Sequence, residues 1–204
     1  MVAQIMLALW MPTVALGVGS LMVGHWAPMP SPSTGEASQL QRALRELVDQ
    51  QHPFTEGQET GTTQWKLVHV LYGDCTCSAK IADYLMESTR PPQAEEWVIL
   101  VDGEPDGDLI SALQSRGMKG LTIGADELHG RFGIDAAPLF IALDPASQVQ
   151  FAGGYTARKQ GLGYKDVATL DALLSGTQPE PIPIFGCGVS DSLQASLDPL
   201  NLKY

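Results

Sequence analysis

Basic residues are scarce: 12 Lys and Arg stand against 23 Asp and Glu, a formal net charge of −11. No basic cluster interrupts that balance, which argues against nucleic acid or an anionic lipid surface as the main partner. Cysteine is scarce too. The three present, Cys75, Cys77 and Cys187, are too few for a disulfide framework and lack the paired spacing of a structural zinc site. Their odd number implies at least one free or exchanging thiol. No internal repeat is visible. Charge is missing altogether from residues 2–24, VAQIMLALWMPTVALGVGSLMVG, a stretch longer than the about 20 residues that cross a bilayer. Residues 1–27 therefore read as an N-terminal membrane anchor, with Pro12 tolerable as a kink. A cleaved signal peptide is the competing reading, but the charged n-region is missing and the apolar stretch exceeds an h-region of about 7–15 residues. The first Lys or Arg is Arg42, so flanking charge hardly sets orientation. Sidedness has to follow from the chemistry.

What the 204 residues do contain is one ordinary domain with appendages. The chain is organised around residues 66–85, KLVHVLYGDCTCSAKIADYL. Leu67, Val68, Val70 and Leu71 are too continuously apolar for a half-exposed strand and predict a buried central one. A Gly73-Asp74 turn follows, and two cysteines open a helix. Cys77, Ile81, Tyr84 and Leu85 fall at helical spacing on one buried stripe, while Cys75 sits at or just before the first turn. Cys75 is therefore expected to be the more exposed sulfur. A helix N-terminus offers unpaired N–H groups and the positive end of the macrodipole, which favour thiolate over thiol. The bland reading is a pair of small buried hydrophobes that happen to lie close together.

Around this segment, residues 28–64 read as a Pro- and Ser-rich linker followed by an amphipathic helix carrying Leu40, Ala43, Leu44, Leu47 and Val48, ending near His52-Pro53. After the cysteine helix come a buried strand at residues 97–101, a helix with Leu109, Ile110 and Leu113, a short strand at 121–123 and a helix at 125–132. A strand at 139–143 and a partner strand at 148–151 make a hairpin. Asp166 is expected to cap a helix stopped by Gly176. The remainder, 177–204, is a tail, Pro-rich at first and containing Cys187. Early alternation of strand and helix with a late hairpin predicts an α/β domain with a mixed sheet flanked by helices.

Two separated features, the strand-turn-Cys-x-Cys-helix at residues 72–78 and RFGIDAAPLFIALDPASQVQFAGGY at 131–155, resemble the thioredoxin fold over about residues 65–176. The resemblance implies that Pro138 is a cis proline opposite the cysteines and that the backbone of Ala137 is free to pair with a substrate chain. It also places the family's buried acid on His69, as a proton acceptor beneath the pair; a core histidine bonded to backbone is the plain alternative. Residues 104–123 resemble an insertion seen in membrane-anchored reductases and peroxiredoxins. The chain departs from the family in having Cys-x-Cys instead of Cys-x-x-Cys, a tighter ring. A peroxiredoxin would need a Thr two residues before an interior Cys, and the Tyr72-Gly73-Asp74-Cys75 segment has none.

The leading functional expectation is a membrane-anchored thiol-disulfide oxidoreductase, a single-pass protein of the cytoplasmic membrane with its soluble domain in an oxidising compartment such as a periplasm. Cys75 is the attacking thiolate, Cys77 the resolving thiol, and thiols or disulfides of partner proteins are the substrates, with no cofactor. Cys187 reads as a second resolving thiol or as a buried small residue between Gly186 and Gly188. The alternatives are a copper-binding or metallochaperone protein using Cys75, Cys77 and His129, and a redox-inactive binding module.

Overall fold

Side chains alternate across a strand, so the apolar run at residues 67–71 supplies two faces, and each needs a helical layer to cover it. The computed structural model, which describes residues 2–26, 28–32, 34–51, 64–103, 107–159, 161 and 163–198, provides both layers. The run becomes β1 (Trp65–Tyr72), the middle of a five-stranded sheet whose other members are β2 (Ala94–Val101), β3 (Lys119–Ile123), β5 (Leu139–Leu143) and β6 (Val149–Gly153). The strand order is β3-β2-β1-β5-β6. β2 runs parallel to β1 and β3 parallel to β2, while β5 is antiparallel to β1 and β6 to β5. The mixed α/β sheet flanked by helices is as expected.

Val68 and Val70 share one face with Trp97, Ile99, Leu139 and Ile141, covered by Leu40, Leu44 and Leu47 of α2 (Thr34–Gln51) and by Leu128 and Phe132. The segment expected as one helix at 125–132 is a single α-turn, α5 (Ala125–Glu127), running into a π-helical turn, Leu128–Phe132, closed by Gly133 at φ 66°. Leu67, Leu71, Val98, Leu100 and Phe140 share the opposite face with Ile81 and Leu85 of α3 (Thr76–Glu87), Ile110 and Leu113 of α4 (Asp108–Ser115), and Leu170 of α6 (Asp166–Leu174). At about 25 cal/mol per Å² of apolar area removed from water, these two cores supply most of the favourable energy of folding.

The tail packs into the same core. Ile184 and Val189 are buried on the α2 side of the sheet, and residues 187–188 form β7 (Cys187–Gly188), which pairs antiparallel with β4 (Ala136–Ala137). α7 (Asp191–Leu197) closes the described chain. This second, two-stranded sheet was not expected from the sequence pattern, because two residues are too few to show a period.

At the other end, α1 (Val2–Trp26) is a 25-residue helix with Pro12 inside it. Its described side chains are exposed, Leu16 to 75%. Among the described residues no helix is long and apolar enough to cross a membrane; within α1 the side chains described are those of residues 4–19, fewer than the about 20 a span needs. His52 and the polar loop after it, to residue 63, lie outside the described residues.

Candidate functional site

The turn between β1 and α3 brings the first two thiols to the carboxyl end of the sheet. Gly73 N–H donates to Val101 O at 2.9 Å and Cys75 N–H to Tyr72 O at 3.1 Å. A Cβ at Gly73 would meet Asp102 O at 2.9 Å, so the close approach of the β1 and β2 ends requires glycine there. Ser78 Oγ accepts from Tyr72 N–H at 2.9 Å and ties the first turn of α3 back to the strand. Cys75 is the N-cap residue of α3, in extended conformation, and Ala79 N–H donates to its carbonyl at 3.0 Å.

The expected exposure of the two sulfurs is reversed. Cys75 is buried, with 2% exposure, and Cys77 is half-buried. Helical spacing correctly points Ile81 and Leu85 inward, but it is Ser78 and not Cys77 that joins them. Cys75 is buried because β4 and β7 lie over it: Ala137 O is 3.9 Å from its Sγ. Ala137 in turn pairs with Cys187 across the ribbon, and the Ala137-Pro138 peptide is cis. None of the three cysteines is in a disulfide.

The electrostatics separates them. Thiol hydrogen bonds from Cys187 and then Cys77 pull the Cys75 pKa far below the ordinary thiol value, against the opposing effect of burial. Backbone N–H groups of Ser78 and Cys77 act in the same direction, although Cys75 makes no geometric side-chain cap. Cys77 moves the opposite way: its hydrogen bond to Cys75, burial and the Cys75 charge all hold it as the thiol, with Lys80 and Lys159 weakly opposing. Of the two, Cys75 is the one poised as thiolate, for a reason that spacing within the cysteine motif could not supply. A cleft of about 380 Å³ opens beside the cluster, lined by Cys77, Lys80, Pro138, Tyr155, Lys159 and Cys187 among others.

His69 is fully buried on β1. Its polar partners are Tyr155, whose hydroxyl is 2.7 Å from Nδ1, and Glu96, whose Oε2 is 3.5 Å from Nε2. From Glu96 an ionic chain continues: Arg90 Nε donates to both carboxylate oxygens at 2.9 Å, and Arg90 Nη2 donates to Asp166 Oδ2 at 2.7 Å. Tyr84 O–H donates to Asp166 Oδ1 at 2.8 Å. Burial works against the Glu96 carboxylate, but His69 and Arg90 outweigh it and hold the carboxyl below its usual range. Asp166, expected as a helix cap, is instead the buried first residue of α6; Lys165 is the N-cap and makes no side-chain cap bond. Sequence reading missed this chain because its members come from a break, a strand edge and a helix start. The usable signal was the acidic Glu96 directly before the buried run at residues 97–101.

His129 is not brought to the thiols. It is exposed to 55%, with Nδ1 2.6 Å from Asp135 Oδ1, and it is absent from the cleft lining. Among the described residues no group of three or more His, Cys, Asp or Glu side chains is arranged to hold a metal ion.

No family model matches the chain, and no curated protein matches it. Similar solved structures include a hypothetical protein of Sinorhizobium meliloti 1021, 19% identical, covering 64% of this chain and 81% of that one at TM-score 0.44. An uncharacterised conserved protein of Geobacillus kaustophilus is 16% identical, covering 65% and 79% at TM-score 0.46. A provisionally assigned thioredoxin of Neisseria meningitidis is 10% identical, covering 61% and 81% at TM-score 0.39. At these values the likeness is one of general layout and transfers no residue role.

Proposed function

We propose that this chain is a thiol-disulfide oxidoreductase in which Cys75 is the nucleophile and Cys77 the resolving thiol, held at a membrane by α1. The observation that carries the reading is the Cys75 sulfur itself, seated at the start of α3 with Ala137 O of the cis Ala137-Pro138 peptide 3.9 Å away and with Cys77 and Cys187 both lining the adjoining cleft. A thiolate is the attacking species in disulfide exchange. Cys75 Sγ attacks one sulfur of a partner disulfide, and the other partner sulfur leaves and takes up a proton. Cys77 then loses its proton and attacks Cys75 Sγ, and the second partner sulfur leaves and is protonated. The protein ends with a Cys75–Cys77 disulfide and the partner with two thiols, two electrons having passed to it. Run backwards, the same steps oxidise a dithiol partner.

Membrane attachment draws support from α1. It is a helix of 25 residues without Asp, Glu, Lys or Arg, and at about 1.5 Å per residue it exceeds a hydrocarbon core of about 30 Å. Exchange chemistry suits a compartment where disulfides persist, which supports a periplasmic position for the domain.

Reduction of a fluorescent disulfide probe by the full-length protein in detergent tests the activity. Wild type should turn over, and Cys75→Ser should fall to the uncatalysed rate; equal rates for the two proteins would leave a redox-inactive binding module. A reporter active only in the cytoplasm, fused after Tyr204, should be silent.

A further inference from the structure

The third thiol is too firmly held to be a bystander. The tail that carries it is fixed on both sides: Gly154 N–H donates to Ile182 O at 3.0 Å, Met29 N–H to Ile184 O at 2.8 Å, and Val189 N–H to Asp135 O at 2.6 Å. Ile184 and Val189 are buried. At Gly186 a Cβ would stand 1.9 Å from Ala137 O and 2.6 Å from Pro138 Cδ, so only glycine lets the tail lie this close to β4. The antiparallel register then sets Cys187 opposite Ala137, the residue whose carbonyl oxygen is 3.9 Å from Cys75 Sγ. Cys77 has a different relation to the same sulfur. It is two residues along from Cys75, the N-cap of α3, so a bond between them closes a tight ring within one segment. Cys187 comes instead from a separate, packed segment.

We propose that Cys187 is the terminal resolving thiol of this site, and that β7 is a built-in substrate strand which takes over the disulfide from Cys77. The step rests on the exchange reading above and changes only where the disulfide ends. The Cys187 sulfur, losing its proton, attacks Cys75 Sγ in the Cys75–Cys77 disulfide; a Cys75–Cys187 bond forms, and the Cys77 sulfur leaves and takes up a proton. No electrons enter or leave, so no further oxidant is needed. The product keeps Cys75 covered and leaves Cys77 as a thiol at the cleft, where a second partner can reach it.

The test uses reduced full-length wild type, Cys77→Ser, Cys187→Ser and Gly186→Ala, each treated with one equivalent of glutathione disulfide. Remaining thiols are then alkylated, the protein is digested without reductant, and the peptides are weighed. Cys77→Ser should yield a Cys75–Cys187 cross-linked peptide pair in most molecules, wild type should yield the same pair, and Gly186→Ala should lose it severalfold. Glutathione retained on Cys75 in Cys77→Ser, with no Cys75–Cys187 pair in that variant or in wild type, overturns the role of Cys187. Cys187→Ser separates the two readings: a Cys75–Cys77 disulfide there keeps the exchange function whatever the fate of Cys187, and its absence sinks the exchange function itself.

Discussion

The thiol cluster at the carboxyl end of β1 and the ionic chain along the α3 side of the same strand meet the cost of burying polar groups in different ways. In the ionic chain opposite charges alternate: Glu96 and Asp166 both take Arg90, and Tyr84 and His69 extend the ends. This pairing of charges ties the sheet to the connecting segments, with His69 Nε2 left without a hydrogen bond. The thiols are held differently, with the charges of Lys80 and Lys159 acting on Cys77. Hydrogen bonding to Cys187 and Cys77 pushes the Cys75 pKa down against burial. Tyr155 touches both, with its hydroxyl on His69 and its side chain in the cleft lining.

The comparison breaks first at its reactive half. Cys75→Ser should cost at least about 100-fold in disulfide exchange while moving the urea midpoint little, since the hydroxyl is smaller than the thiol and fits the same space. An intact rate would place the chemistry elsewhere.

Arg90→Met is the reciprocal variant. It leaves two buried carboxylates without their shared cation and should destabilise by about 3–5 kcal/mol in urea unfolding, with the alkylation rate of Cys75 in the folded protein unchanged. A loss under about 1 kcal/mol would mean that the chain is more hydrated than its burial implies.

The pH dependence sharpens the same contrast. The Glu96 carboxyl is depressed on folding, so its contribution is present above the unfolded carboxylate range and is lost as pH falls through the folded pKa. The stability difference between wild type and Glu96→Gln should therefore shrink on acidification, followed by urea midpoints from neutral to acid pH. Cys75 is also depressed, and its alkylation in Cys77→Ser should persist below the ordinary thiol range, whereas Cys77 in Cys75→Ser should require a higher pH. The second variant removes the Cys75 charge and thiol partner, so its profile moves toward that of a plain half-buried thiol.

The smallest effect is at the bridge between the centres. Tyr155→Phe removes a hydroxyl from His69 and should cost about 1–2 kcal/mol. A shift in the Cys75 alkylation profile of that variant would show that the two centres are coupled through Tyr155; an unmoved profile would show them to be independent.

Much of the scaffold was legible before any coordinates. The apolar runs that became β1, β2 and β5 are written as consecutive buried residues, α2 and α4 as helical spacing, and the pairing of two cysteines with a helix start as strand, turn and cysteine in succession. The ionic chain was not legible, because Arg90, Glu96 and Asp166 belong to three elements and a charge carries no sign in the sequence that its partner lies far along the chain. The same limit applied to exposure. Local spacing made Cys75 the open sulfur, and only the cover of β4 and β7 made it the closed one.

By itself, then, the sequence determined where strands and helices run, which two thiols open α3, and that residues 2–24 are free of charge, since these depend on the order of neighbouring side chains. The tertiary structure alone decided which sulfur is buried and that Cys187 belongs with the other two. Those depend on residues separated by 50 positions or more meeting at one sheet end, and the hydrogen bonds and desolvation that set a thiol's reactivity exist only once that meeting has taken place.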